Sequence, residues 1–292
     1  MMVTTKSSAI ISKTGWYILL IIIAMIFVLP LLFMVVSSLK PEMQLLADTS
    51  SLRAFLPVGN LSFDNFLAAF KRAPIPLFLF NSILVTLVTV VLGMLLNSMA
   101  AFSFTFLQWK GRNIIMAIIV ATFIVPFETI AVPLLLLVNK LPWISAQGLV
   151  IGWMNSYHVQ IIPFLAYSFQ VFLFYQFFRE IPKDLVEAAR IDGANWLQIY
   201  TRVVIPVSSP VIATAAILRS LDMWNQYLWP LMVVQSEKFR PVMIGLQYFF
   251  QLDIAWAEIM AYLSIITVPI IIFYLGMQKT FIESIASTGI KG

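Results

Sequence analysis

Apolar residues run along this chain in long blocks, neither alternating as in a half-buried strand nor recurring every three to four positions. A helix that crosses a bilayer needs roughly 20 apolar residues. Uncharged or nearly uncharged runs of that length predict spans at about 15–37, 81–104, 113–138, 150–178, 207–234 and 259–278, six in all. The run Ala73–Trp109 has 37 residues, too many for one crossing, and Pro74 and Pro76 near its start place the second span at about Asn81–Phe104. Pro126, Glu128 and Pro133 interrupt the third. The first, Thr14–Leu39, is 26 residues without a charge, which exceeds the apolar core of about 7–15 residues in a secretory signal. It ends in no small-residue cleavage site, so it reads as a retained span. The pattern predicts an all-α integral membrane protein: a short N-terminal segment, 1–14, and one transmembrane domain, 15–292. Of the polar connections, Lys40–Pro76 is the longest. With Pro57, Gly59, Asn60 and mixed charges, it reads as a small cap on one face.

Composition agrees. Hydrophobic residues make up 61% of the chain and charged residues 11%, with a mean hydropathy of +0.95. Soluble domains carry about 25% charge, so this chain cannot surround a core with a charged shell and must turn apolar surface to lipid. The net charge of +5 is spread singly between apolar blocks. That distribution suits membrane orientation and contact with anionic lipid, not nucleic-acid binding. Absence of cysteine excludes disulfides and thiolate metal sites, and a single histidine, His158, leaves no basis for a histidine metal site.

With the N-terminus inside, ten basic residues fall on the inner side: Lys6, Lys13, Lys110, Arg112, Arg179, Lys183, Arg190, Arg202, Lys279 and Lys291. Seven fall outside: Lys40, Arg53, Lys71, Arg72, Lys140, Lys238 and Arg240. Such a small excess does not settle orientation.

The most informative connection is Ile181–Pro206, IPKDLVEAARIDGANWLQIYTRVVIP. Pro182 suits the first turn of a helix, and Asp184 and Glu187 suit its positive end. Lys183–Glu187 and Glu187–Arg190 are spaced for helical ion pairs. Gly193 is a natural stop. Asn195 with Gln198 three residues on reads as the cap of a second helix, and Pro206 opens the fifth span. Leu185, Ala188 and Ala189 are placed on one face, where two alanines permit close approach by another surface.

Glu187-Ala188-Ala189, followed by Gly193 and then by Val203-Val204-Ile205-Pro206, resembles the EAA loop of permease subunits from binding-protein-dependent ABC importers. The family pattern ends in I-x-L-P, from which Val203 and Ile205 are conservative departures. EAARIDGA resembles the carbohydrate branch, the maltose and glycerol-3-phosphate permeases. The segment Trp224–Leu231, WNQYLWPL, and the ending Gly289-Ile290-Lys291-Gly292 resemble that branch too. The resemblance implies a type I ABC importer permease fold with six spans, both termini cytoplasmic, in a bacterial or archaeal plasma membrane. It implies a cytoplasmic coupling helix, with Glu187, Ala188, Ala189, Asp192, Gly193 and Pro206 at the ATPase contact. It implies a second, homologous permease, two ATP-binding subunits and an extracytoplasmic solute-binding protein as partners. The chain has no GxxxxGK[ST] phosphate loop. It is therefore expected to bind no cofactor, with ATP and magnesium held by the partner ATPase.

Polar residues inside spans are candidates for the translocation pathway. Arg219 and Asp222 are three apart, spaced either to pair or to face water. Trp224, Asn225 and Tyr227 could stack on and hydrogen-bond a sugar, or could anchor at the bilayer interface. Glu128 lies between two prolines that loosen the backbone. Asn155, Tyr157 and His158 cluster before Pro163, as substrate contacts or as a hydrogen-bonded structural group. Nothing resembles a catalytic dyad or triad, so a transport subunit is expected in preference to an enzyme. Other readings are a permease for a polyamine or peptide, and a solitary ion-coupled carrier, which would call for paired carboxylates within spans and no docking helix.

Overall fold

The structure is a computed structural model that describes residues 5–145, 148–250 and 254–289, with side chains over 15–144, 148–250 and 254–278. The side chains of Lys6, Lys13, Lys279 and Lys291, and the tail residues 290–292, lie outside the described set.

Seventeen elements follow one another: α1 (Thr5–Ser38), α2 (Glu42–Asp48), α3 (Asp64–Arg72), α4 (Ile75–Phe106), α5 (Arg112–Ala121), α6 (Phe127–Val138), β1 (Pro142–Ser145), β2 (Gly148–Ile151), α7 (Tyr157–Ile161), α8 (Ser168–Glu180), α9 (Lys183–Ile191), α10 (Trp196–Ile199), α11 (Ile205–Val207), α12 (Ser209–Trp224), α13 (Leu228–Val233), α14 (Val242–Gly245) and α15 (Trp256–Gly289). Short 3₁₀ and π turns fill some gaps. The fold is mostly helical and not strictly all-α. The antiparallel hairpin β1–β2 pairs Trp143 with Val150 and Ile144 with Leu149, in the run from which the fourth span was expected to start.

Among the described residues, three stretches are single helices long and apolar enough to cross a membrane: Gly15–Ser38, Ile75–Phe106 and Trp256–Gln278. Three more qualify only as bent pairs. The breaks lie between Ile124 and Phe127, Phe164 and Ser168, and Val207 and Ser209, with bends of 105°, 41° and 79°. Proline explains where the first and third occur: Pro126 precedes α6, and Pro206 and Pro210 flank the bend at Ser208. The helix expected to supply the second span starts at Ile75, ahead of Asn81. Pro76 falls in the first turn, where no helical hydrogen bond is lost. The fifth run is likewise broken, since α12 ends at Trp224 and α13 restarts at Leu228.

The chain divides into two compact units. One comprises residues 1–74 and 246–268. In it the predicted cap is α2, a 3₁₀ turn at Leu52–Phe55 and α3. Its centre is Lys40, only 1% exposed, whose ammonium donates to Asp48 at 2.9 Å and to the Arg53 carbonyl at 2.6 Å. Asn65 donates to the carbonyls of Ser38 and Lys40, both at 2.8 Å, and fixes the exit from α1. Glu42 accepts from the backbone amides of Trp256 and Ala257 at 3.1 and 2.8 Å, capping α15 through a side chain 214 residues away. Arg72 pairs with Glu258 at 2.9 Å in the same unit.

The other unit, residues 75–245 and 269–292, is organised around α4. Its largest core cluster joins Ala101 and Phe102 of α4, Phe174 and Phe178 of α8, Val186 of α9, Ile199, Tyr200, Val204, and Val211 and Ala215 of α12.

The hydrogen bond from Lys40, with its positive charge, holds the Asp48 carboxyl below its ordinary value of 3.8. A carboxylate lowered on folding contributes stability above the unfolded value and loses it as pH falls through the folded one. Hydrogen exchange over residues 42–55 should therefore accelerate as pH is lowered below about 3.8, after correction for intrinsic exchange. In Asp48→Asn the same residues should exchange faster at neutral pH, with that acid step gone.

Candidate functional site

The loop after α8 folds as two helical arms. Pro182 precedes α9 and Asp184 lies in its first turn. Asp192 ends it. The amide of Gly193 then reaches the Arg190 carbonyl at 3.1 Å, and that of Ala194 the Ala189 carbonyl at 2.9 Å. This paired pattern is a Schellman close, which needs a left-handed residue at the second position. Gly193 has φ +81°, and a Cβ there would meet nothing within 4 Å. Glycine is required here for backbone freedom, not for space. Asn195 and Gln198 make the expected reciprocal cap at 2.9 and 2.8 Å. Arg190 lies over the ring of Trp196 at 4.6 Å and ties the arms together.

Two details differ from the sequence reading. Neither Lys183 nor Arg190 closes an ion pair with Glu187 among the described residues. The indole draws Arg190 away, leaving Glu187 exposed. Nor do Leu185, Ala188 and Ala189 share an environment. Ala189 packs with buried Val186 on the core, three positions apart on one face. Leu185 and Ala188 face outward with Ile191, which is 87% exposed. α9 thus presents apolar Leu185, Ala188 and Ile191 beside an unpaired carboxylate, on a backbone anchored from behind.

The second arm runs from α10 through a π turn, Tyr200–Val204, into α11. A proline ring collides with the carbonyl four residues back, here that of Arg202, and the wider π turn relieves that crowding. Pro206 therefore lies inside this arm and does not open the long helix. The chain bends at Ser208, whose hydroxyl donates to the Val204 carbonyl at 2.6 Å, and α12 begins with Pro210 near its start.

Arg219 and Asp222 pair on α12. Arg219 is 2% exposed, while the Asp222 side chain is half open. Arg219 also donates to the Phe164 carbonyl and lies 4.2 Å from the Tyr167 ring centroid. Phe164–Tyr167 is the break between α7 and α8. From α4, Asn97 grips the same break: its amide donates to the Leu165 carbonyl at 3.0 Å and to Gln170 at 2.8 Å, and its carbonyl accepts from the Tyr167 amide at 3.1 Å. Both residues thereby supply partners that a broken helix in lipid lacks.

The other pathway candidates are dispersed. Asn155, at φ 55°, accepts from the amides of Gln235 and Ser236, both at 2.7 Å. Tyr157 donates to Asn81 at 2.7 Å, and Asn81 donates to the carbonyls of Lys238 and Arg240 at 3.0 and 2.9 Å. His158 stacks on Trp143 at 4.0 Å. These three clamp loops together. Trp224 is buried, Asn225 caps α12 by donating to the Leu221 carbonyl at 2.8 Å, and Tyr227 is 41% exposed. Glu128 stands exposed in the first turn of α6, apart from the rest. Sequence reading passed over Asn81, Asn97 and Trp229. Trp229 is wholly buried and donates to the Val159 carbonyl at 2.8 Å. For Asn81 and Asn97 the available signal was an asparagine within an apolar run.

Residues 89–286 match the family of binding-protein-dependent transport system inner membrane components. The chain belongs to that family. Such permeases are membrane-embedded subunits of bacterial ABC importers and work with further permease, ATPase and binding-protein components. The arabinooligosaccharides permease AraQ of Halalkalibacterium halodurans is 34% identical over 277 residues, covering 92% of this chain and 93% of that one. The melibiose/raffinose/stachyose import permease MelC of Bacillus subtilis is 30% identical over 295 residues, covering 99% and 98%. The fold matches a chain in the crystal structure of a bacterial ABC transporter for alginate import, with TM-score 0.75 and 21% identity, over 96% of this permease and all of that chain.

Removing a partner from a buried carbonyl costs about 1–3 kcal/mol. Asn97→Ala should lower the thermal unfolding midpoint of the detergent-solubilised permease, and Arg219→Met should do likewise. Asn97→Asp, which sets a carboxylate oxygen against the Leu165 and Gln170 oxygens, should lower the midpoint at least as far as Asn97→Ala.

Proposed function

We propose that this permease forms one half of the transmembrane pathway of an importer for a sugar or a sugar-derived solute, and that α9 is its contact with the ATPase. Six crossings, three of them bent, would leave both termini and α9 in the cytoplasm. A homologous second permease would complete the pathway, two ATP-binding subunits would hold ATP and magnesium, and an extracytoplasmic binding protein would deliver the solute. The substrates in the names of the relatives, arabinooligosaccharides and melibiose, raffinose or stachyose, support the carbohydrate assignment.

The observation that carries the docking assignment is the outward face of α9. A cytoplasmic helix that exposes Leu185, Ala188 and Ile191 beside an unpaired Glu187 has the make-up of an interface centre, with apolar anchors and a charge left for a partner. Its connections suggest how a push would travel. The Schellman close and the Arg190–Trp196 contact join α9 to the second arm. That arm leads through the bend at Ser208 into α12, which carries Arg219 to the break at Phe164–Tyr167. Displacement of α9 would thus reach a point where a spanning helix is already divided. Asp222, half open beside Arg219, and Tyr227 remain the strongest pathway candidates, ahead of Trp224, Asn225, Glu128, Asn155, Tyr157 and His158, which are dispersed.

Three substitutions test the docking assignment in the reconstituted complex. Ile191→Asp, Glu187→Lys and Gly193→Pro should each abolish solute-dependent transport while the chain still inserts. Proline cannot adopt the φ of +81° at Gly193. Ile191→Asp is the cleanest, because the Ile191 side chain is almost fully exposed. Normal transport in all three, or full transport by the solitary chain, overturns the docking assignment. For the solute, the associated binding protein should bind an oligosaccharide, and that ligand should stimulate ATP hydrolysis. Selective binding of a polyamine or peptide instead would refute the carbohydrate assignment.

A further inference from the structure

A cavity of about 300 Å³ lies where α4, α8, the second arm and α12 meet. Met94, Leu95, Phe174, Ile205 and Ile212 line it with hydrocarbon. The hydroxyls on its wall are already bonded. Ser98 donates to the Met94 carbonyl at 2.6 Å and shares a hydrogen bond of 2.8 Å with the Tyr200 phenol. Thr201 donates to the Leu197 carbonyl at 2.8 Å. A sugar would lose its water here and gain no hydrogen bond in return. An alkyl chain would lose nothing.

The opening and its surroundings indicate which alkyl chain. Leu95 at the rim is 49% exposed, and it continues an outward stripe on α4 with Val91, Leu92, Leu96 and Met99. That stripe belongs to a spanning helix, so the cavity opens towards acyl chains. Next to Thr201 on the arm is Arg202, exposed and in no ion pair among the described residues. A cation on the residue that follows a wall of an apolar cleft complements a lipid phosphate whose tail occupies the cleft.

We propose that this cavity is a binding site for one acyl chain of an anionic phospholipid, with its headgroup at Arg202. The site abuts the π turn and the bend at Ser208, so an occupant would wedge the joint between the second arm and α12. The inference concerns this chain alone and needs neither the docking assignment nor the nature of the solute.

The test uses the full permease complex in vesicles containing phosphatidylglycerol or phosphatidylethanolamine with the same photoactivatable acyl chain. Labelled peptides are identified by mass spectrometry. Peptides containing Met94–Ser98 and Thr201–Ile212 should be labelled several-fold more by phosphatidylglycerol. Ile212→Trp, which fills the cavity, should remove most of that labelling. Arg202→Gln should abolish the preference for phosphatidylglycerol while chain labelling persists, and Arg202→Lys should restore it. Met94→Trp blocks the cavity from α4 and serves as the second blocking variant should Ile212→Trp not fold. Equal labelling of a blocked variant and the unmodified protein overturns the proposal. So does labelling with no headgroup preference, or a cysteine crosslink from Thr201 to the second permease in place of lipid. Failure of ATPase docking would leave the labelling unchanged, which keeps the two proposals separable.

Discussion

A helix may break inside a membrane only if something else satisfies the backbone groups it releases, because lipid offers no hydrogen bonds. That constraint accounts for much of the buried polarity here. The break at Phe164–Tyr167 releases carbonyls and an amide, and two side chains from other helices take them up. Asn97 approaches from α4 and Arg219 from α12. Elsewhere in the same unit, Asn81 holds the carbonyls of Lys238 and Arg240, and Asn155 receives two amides of the same connection. Of the polar residues that look like substrate contacts, Arg219 fastens an interrupted helix, while Asn155, Tyr157 and His158 hold connections together.

This changes the character of Arg219. It is an ion-pair partner of Asp222, and it is also the link between α12 and the break in another span. Its guanidinium can serve both because its donors fan out in a plane, which a lysine could not reproduce. Paired with Arg219, Asp222 leaves about half of its side chain open, so one end of the pair is structural and the other is available.

Different parts of the molecule were legible in the sequence to different degrees, for physical reasons. Run lengths located the apolar stretches, because hydrocarbon thickness imposes a minimum that composition must meet. They could not reveal that three stretches are bent, since a proline near a span reads alike whether it starts a helix, as Pro76 does, or divides one, as Pro126 does. Local chemistry served the loop well. Gly193 and Asn195 act through bonds within a few residues, so their spacing carries the whole signal. Ion pairing around Glu187 was misjudged because an aromatic ring six residues beyond Arg190 competes for it. The partners of Asn97, Tyr157 and His158 lie far along the chain, and no pattern in their own neighbourhoods discloses them.

Glu42 has a consequence for how the molecule comes to be made. Its carboxylate caps the start of α15, and those amides are added to the chain more than two hundred residues later. At synthesis rates of roughly 5–20 residues per second, the gap is on the order of ten to forty seconds. Through that interval the cap that follows the first span can assemble around Lys40, Asp48 and Asn65, but Glu42 has nothing to hold. Its closure on Trp256 and Ala257 can therefore come only when the final span is delivered. The contact between the segment after α1 and the start of α15 is thus among those that form late, after the intervening helices have been made.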